Sequence, residues 1–260
     1  MNIFDTHCHI SLHHFEEDRA EVIARMREAG VMRATIAVDS TEDVPFAIKM
    51  CEEHDFLYFV AGVHPHNAIK YTDEAEKITI EAAKHPKFTC VGEIGLDFHY
   101  DMSPRDVQRQ VFERQLDLAC ELKKPVQLHI RDAHGECMDM LRERAKNGRM
   151  PGGIMHCFTG SWECAKVYLD LGLYVSLSGA VTFKNAPKLT EVAANMPVDR
   201  LLVETDCPFM TPVPLRGKRN EPAYTVYTIN KIAEIRGMDP EELAEITTAN
   251  ALRAFGINEG

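Results

Sequence analysis

The chain has 260 residues, 45% hydrophobic and 27% charged, an ordinary globular composition that suits two modest domains or one barrel of about 250 residues. No apolar run approaches the roughly 20 residues of a membrane-spanning helix, so no membrane partner is expected. The net charge of -11 argues against coating nucleic acid through a global positive field, while leaving room for a local basic site or a bound cation.

The N-terminus lacks the basic-then-apolar pattern of a signal peptide. The eight cysteines include no Cys-x-x-Cys pair. Reduced thiols and a cytoplasmic location are therefore the expectation, with a monomer as the working oligomeric state.

In chain order, Ile3-Phe4 reads as the end of a buried strand running into Asp5-Thr6-His7-Cys8-His9. A helix from about Glu16 to Ala29 is closed by Gly30. Ala34–Val38 is a strand, and Thr41 opens a helix to about His54. Leu57–Ala61 is the third strand and Asp73–Lys84 the next helix. Phe88–Gly92 is the fourth strand, leading into Glu93, and a long helix follows over Pro104–Leu122. The later strands are Val126–Ile130, Gly153–His156, Leu173–Leu177 and Leu201–Glu204, separated by helices near 134–146, 161–170 and 186–195. Helices near 222–236 and 240–254 end the chain. Eight short apolar strands alternating with helices predict a parallel sheet. In this length they favour a single-domain (β/α)₈ TIM barrel over residues 1–260. A doubly wound sheet often carries a Gly-rich turn after its first strand, and here that turn is His-rich instead.

Residues two apart on a strand point the same way, so His7 and His9 can aim at one point. Alternation points Cys8 away from them. Alone, so short a pattern is more often an ordinary polar pair. The remaining strand ends change its weight. His64 and His66 follow strand three, Glu93 ends strand four, His129 ends strand five, His156 ends strand six, and Asp206 follows strand eight. Barrel enzymes carry their chemistry at this face. His7, His9, Glu93, His129, His156 and Asp206 are too many ligands for one tetrahedral catalytic zinc. They fit two metals about 3.5–4 Å apart, bridged by a carboxylate, with a water between them. Glu204 reads as an acceptor behind a ligand His or as an extra ligand. His54 and His85 sit near helix ends, where a cation suits the dipole; His13 and His14 receive no role.

The motifs Asp5-Thr6-His7-Cys8-His9, Gly62-Val63-His64-Pro65, Gly92-Glu93-Ile94-Gly95-Leu96-Asp97, Gln127-Leu128-His129, His156-Cys157-Phe158-Thr159-Gly160, Glu204-Thr205-Asp206-Cys207-Pro208 and Arg216-Gly217-Lys218-Arg219-Asn220-Glu221-Pro222 resemble, in order and over nearly the whole chain, the TatD-related metal-dependent deoxyribonucleases of the amidohydrolase superfamily. The resemblance implies a two-metal barrel in which His7, His9 and Asp206 hold one ion, His129 and His156 the other, and Glu93 bridges. It also implies 3′–5′ exonucleolytic hydrolysis of DNA, with single-stranded ends as substrate. Glu93 and Asp206 are the catalytic candidates, Asp206 orienting the attacking water or taking its proton. Mg, Mn or Zn could serve, and the mixed imidazole and carboxylate ligands suit Zn or Mn better than Mg.

Phosphate contacts are expected from Arg131 and from Arg216, Lys218 and Arg219 in the late loop, with His64 as a further substrate contact. His66, Asp97, His134 and Tyr100 are weaker candidates. Phe98, Phe158 and Trp162 are aromatics that could stack bases but better suit the core. The rival reading is a small-molecule amidohydrolase cleaving an amide, lactone or phosphoester at the same metals. The basic late loop favours phosphate.

Overall fold

A computed structural model describes residues 1–257, so the last three residues of the expected 1–260 domain lie outside the described residues. Eight strands form one sheet in the order β1 to β8: Ile3–Cys8, Val31–Ile36, Leu57–Ala61, Phe88–Asp97, Val126–Arg131, Gly153–Met155, Tyr174–Leu177 and Leu201–Val203. Every neighbouring pair is parallel. The helices are α1 Arg19–Glu28, α2 Val44–Glu53, α3 Asp73–Ala82, α4 Arg105–Leu122, α5 His134–Lys146, α6 Trp162–Asp170, α7 Pro187–Asn195, α8 Thr225–Arg236 and α9 Pro240–Phe255. This is the expected (β/α)₈ TIM barrel. No helix among the described residues is long and apolar enough to cross a membrane.

The two faces of the strands do different work, as a period of two requires. Leu57, Phe59 and Ala61 of β3 pack outward in the large core between sheet and helices. Val60, between them, turns inward with Phe4, Cys90, Ile154 and Leu202, and α9 closes that end of the barrel with Ala251 and Phe255.

Closure joins the ends of the chain. The Asp206 N–H donates to His7 O at 2.9 Å and the His9 N–H to Cys207 O at 2.8 Å. Asp5, fully buried, accepts from the Thr205 N–H at 2.9 Å and from the Thr205 hydroxyl at 2.5 Å.

Several boundaries differ from the sequence reading, each for a local reason. A 3₁₀ turn at His13–Phe15 runs on as a turn through residues 16–18, so α1 begins at Arg19 and not at Glu16. Ser40 caps a 3₁₀ turn before α2 by accepting from the Glu42 N–H. The largest difference is β4, which runs on through Glu93 to Asp97 with all ten residues buried. Its continuation pairs with β5 from Ile94 opposite Leu128 to Asp97 opposite Arg131. Gly95 permits that approach: its φ is 149°, and a Cβ there would lie 2.0 Å from His129 O. Gly92 does the same on the other side of Glu93, where a Cβ would lie 2.8 Å from the Gln127 Cβ. β8 stops at Val203, and Asp206 adopts a left-handed φ of 56°. Glu204 and Asp206 therefore reach the site from a turn, not from one face of a strand.

Candidate metal centre

Glu93 stands at the centre, 2% exposed, near the mouth of the barrel. Its two carboxylate oxygens face different partners. Oε2 lies 3.4 Å from His7 Nε2 and 3.8 Å from His9 Nε2. Oε1 lies 2.7 Å from His129 Nδ1, 2.8 Å from His156 Nε2 and 3.3 Å from His64 Nε2. Asp206 Oδ1 joins the first group, 3.5 Å from His9 Nε2 and 3.7 Å from His7 Nε2. Of these acids Asp206 is the more open, with its side chain 14% exposed.

Hydrogen bonds behind the ring decide which imidazole nitrogens carry lone pairs. Gln127 donates its amide to Thr6 O at 2.9 Å, so its Oε1, 2.9 Å from His7 Nδ1, is an acceptor. His7 must donate from Nδ1, which leaves Nε2 a bare acceptor aimed at Glu93. His156 donates from Nδ1 to Glu204 Oε1 at 3.2 Å. His129 turns the other way, donating from Nε2 to Asp97 Oδ2 at 3.1 Å and presenting Nδ1. His9 Nδ1 faces Asp39 Oδ1 at 3.3 Å without the alignment of a hydrogen bond.

This leaves acceptors pressed against acceptors. His7 Nε2 and His9 Nε2 are 3.0 Å apart, His129 Nδ1 and Glu93 Oε1 are 2.7 Å apart, and the buried Glu93 Oε2 has no hydrogen-bond partner. Lone pairs at such distances need positive charge between them, supplied by protons or by metal ions. Without ions, protons must do it. Burial works against charging His9 and His156. Yet Asp206 and Asp39 bring His9 up to about 10, while Glu93 and Glu204 hold His156 well above its ordinary value. Burial would likewise raise Glu93, but His156, His64 and His7 keep it well below the usual carboxylate range. Burial lowers His7 well below its ordinary value, with His156 adding to it, and burial brings His64 down to about 4. The donor set fits divalent cations. His7, His9 and Glu93 converge within 4.8 Å, as do Glu93, His129 and His156.

The other expected site residues divide. Glu204 sits behind His156 and also accepts from the Cys157 N–H at 2.5 Å, so its position is that of a supporting acceptor. His64 reaches the centre. Arg131 is exposed at the end of β5, its guanidinium 4.7 Å from the Tyr100 ring centre. In the late loop, Arg216 lies over Phe183 at 3.9 Å and Lys218 is exposed. Arg219 departs from the expectation of a free phosphate contact. Its fork is taken by Asp18, at 2.8 and 2.6 Å, which ties the loop to the start of α1.

His66 and Asp97 are joined at 2.8 Å, so both stand behind His129. His134 bonds Tyr168 at 2.8 Å, away from the centre. Phe158 is fully buried, Phe98 lies beneath Arg105 and Arg109, and Trp162 packs on the core. Cys8 is buried with its thiol on Thr35 O, consistent with pointing away from the ligands.

Gln127 and Asp39 escaped the sequence reading. Gln127 had a usable signal: a polar residue in an apolar strand, two before His129 and hence on its face. Asp39 also had one, since it directly follows the expected strand Ala34–Val38, the same strand-end position that singled out the other ligands. Replacing Gln127 by Leu is expected to free the His7 ring and lower metal affinity or turnover about 10- to 100-fold. Metal titration followed by calorimetry checks this, and unchanged affinity with unchanged turnover would deny Gln127 its supporting role.

Imidazoles and carboxylates gathered at the strand ends of such a barrel define a class, the metal-dependent hydrolases. Within that class the chain belongs to the TatD related DNase family, which it matches over residues 4–256. It is 45% identical over 256 residues to the uncharacterized metal-dependent hydrolase YabD of Bacillus subtilis (strain 168), with 98% of this chain and 100% of that protein covered. To the 3′-5′ ssDNA/RNA exonuclease TatD of Rahnella sp. (strain Y9602) it is 37% identical, with 98% and 99% covered. The crystal structure of YJJV, a TatD homologue from Escherichia coli K12, superposes with a TM-score of 0.91 at 29% identity, covering 99% of each chain.

Proposed function

We propose that this hydrolase cleaves phosphodiester bonds at the 3′ ends of single-stranded nucleic acid, using two divalent ions. His7, His9 and Asp206 would hold one ion, His129 and His156 the other, and Glu93 would bridge. The observation that carries the reading is the division of labour at Glu93, whose two oxygens face separate imidazole groups. When bound, Mg, Mn or Zn ions would draw charge from the phosphate oxygens and acidify a water.

The chain's own residues supply the rest. Asp206, close to His7 and His9 and the more exposed of the two site acids, takes the proton of the attacking water. His64, beside Glu93 Oε1, and Arg131, at the rim, orient the phosphate. Burial of Glu93 and His7 keeps bulk water from competing at the inner side of the centre. The exonuclease name carried by the Rahnella relative supports this substrate class.

A time course with single-stranded oligonucleotides labelled at either end, run with Mg, Mn and Zn in turn, tests it. A 5′-labelled strand is expected to shorten stepwise, and a 3′-labelled strand to release its label at once. Metal-dependent cleavage that begins at the 5′ end would overturn the polarity, and no cleavage with any metal would overturn the substrate.

A further inference from the structure

Most aromatic side chains of this protein are buried or lie against its core, but Tyr100 and Phe209 are 53% and 51% exposed. Both stand on loops at the strand ends, and each belongs to a different half of the metal centre. Phe209 follows β8 and meets His9 with ring centres 6.1 Å apart, at 72°. Tyr100 follows β4 and meets His66 at 5.4 Å and 86°; His66 shares Asp97 with His129. No imidazole therefore lies flat on either ring. Both backbones are tied to the acids of the site. The Phe209 N–H donates to Asp206 O and the Tyr100 N–H to Asp97 Oδ1, each at 2.9 Å. Asn220 holds Phe209 O from the other side at 2.6 Å. Exposed apolar rings fixed this firmly beside a charged centre call for an apolar, flat ligand that carries an anion.

Taking the hydrolytic reading above as its basis, we propose that Phe209 and Tyr100 are stacking platforms for the two nucleobases that flank the scissile phosphate. The phosphate lies over Glu93, and its two ester arms lead towards the two rings. Arg131, already over the Tyr100 ring at 4.7 Å, adds a cation beside one base or its phosphate. Because every base has a π-face, such recognition tolerates any sequence. It requires unpaired bases, which favours single strands and frayed ends over intact duplex.

The test uses metal-loaded protein mixed in a stopped-flow instrument with short oligonucleotides carrying 2-aminopurine at the terminal or penultimate 3′ position. Stacking is expected to quench emission in a phase that precedes cleavage. Phe209→Ala and Tyr100→Ala should each remove the quench at one of the two positions and weaken binding of the base-bearing strand about 5- to 100-fold. Phe209→Trp and Tyr100→Phe should preserve both properties. Binding of a strand abasic at both positions should not distinguish the alanine variants from the parent. Equal weakening on base-bearing and abasic strands, or quenching unaffected by either substitution, would overturn the stacking role and leave the hydrolytic reading standing. Base-dependent quenching with no subsequent cleavage would do the reverse.

Discussion

Replacing Glu93 by Ala is expected to reduce hydrolysis of a labelled single-stranded oligonucleotide by about a thousandfold or more, beyond the 10- to 100-fold of a residue that merely supports a ligand. The reason is its double position. One oxygen faces His7 and His9, the other His129, His156 and His64. Its removal takes an anion from both halves at once and leaves Asp206, beside His7 and His9 only, as the remaining acid among the expected ligands. Bound metal, measured by elemental analysis after gel filtration, should fall below two equivalents per chain. Circular dichroism should stay that of the barrel, because the ion-pair partners of Glu93 are imidazoles gathered at the strand ends. Near-native turnover by a folded Glu93→Ala protein would show that it bridges nothing.

Stripping the protein with a chelator carries the second large effect, on activity and stability together. Activity should vanish and return with added Mg, Mn or Zn. An ion that binds only the folded chain stabilises it by RT ln(1 + [L]/Kd), about 4 kcal/mol at a thousandfold excess over Kd. In a domain of this size that corresponds to a rise in Tm of about 8–16 °C. Differential scanning calorimetry of stripped and reloaded protein reads this directly. Full activity after chelation, or a Tm that does not move, would sink the metal centre. The sign with pH follows from the ligands. Imidazoles must lose their protons to bind a cation, so metal affinity should weaken as pH falls.

Much of this site was legible in the sequence because a parallel barrel converts strand ends into a shared face. His7, His9, Glu93, His129 and His156 are each recognisable from an apolar strand leading into a ligand-type residue. What was illegible lay one shell further out. Asp97 ranked only as a weak substrate contact because β4 was expected to end at Glu93; the pairing of Gly95 with β5 carries the strand to Asp97 and brings its carboxylate behind His129. Arg219 looked like a free cation because its partner, Asp18, lies on the far side of the fold in sequence. Phe209 was passed over because exposure of one aromatic among many is not written in local pattern. Tertiary contact, rather than propensity, settles all three.

The latch between Asp5 and Thr205 joins positions two hundred residues apart. A chain emerging from the ribosome offers His7 and His9 first, yet Asp206 arrives only with the turn after the eighth strand. The order of synthesis therefore delays the complete ligand set until the barrel can close. The full ligand set is therefore complete only once the turn after the eighth strand has closed on the first.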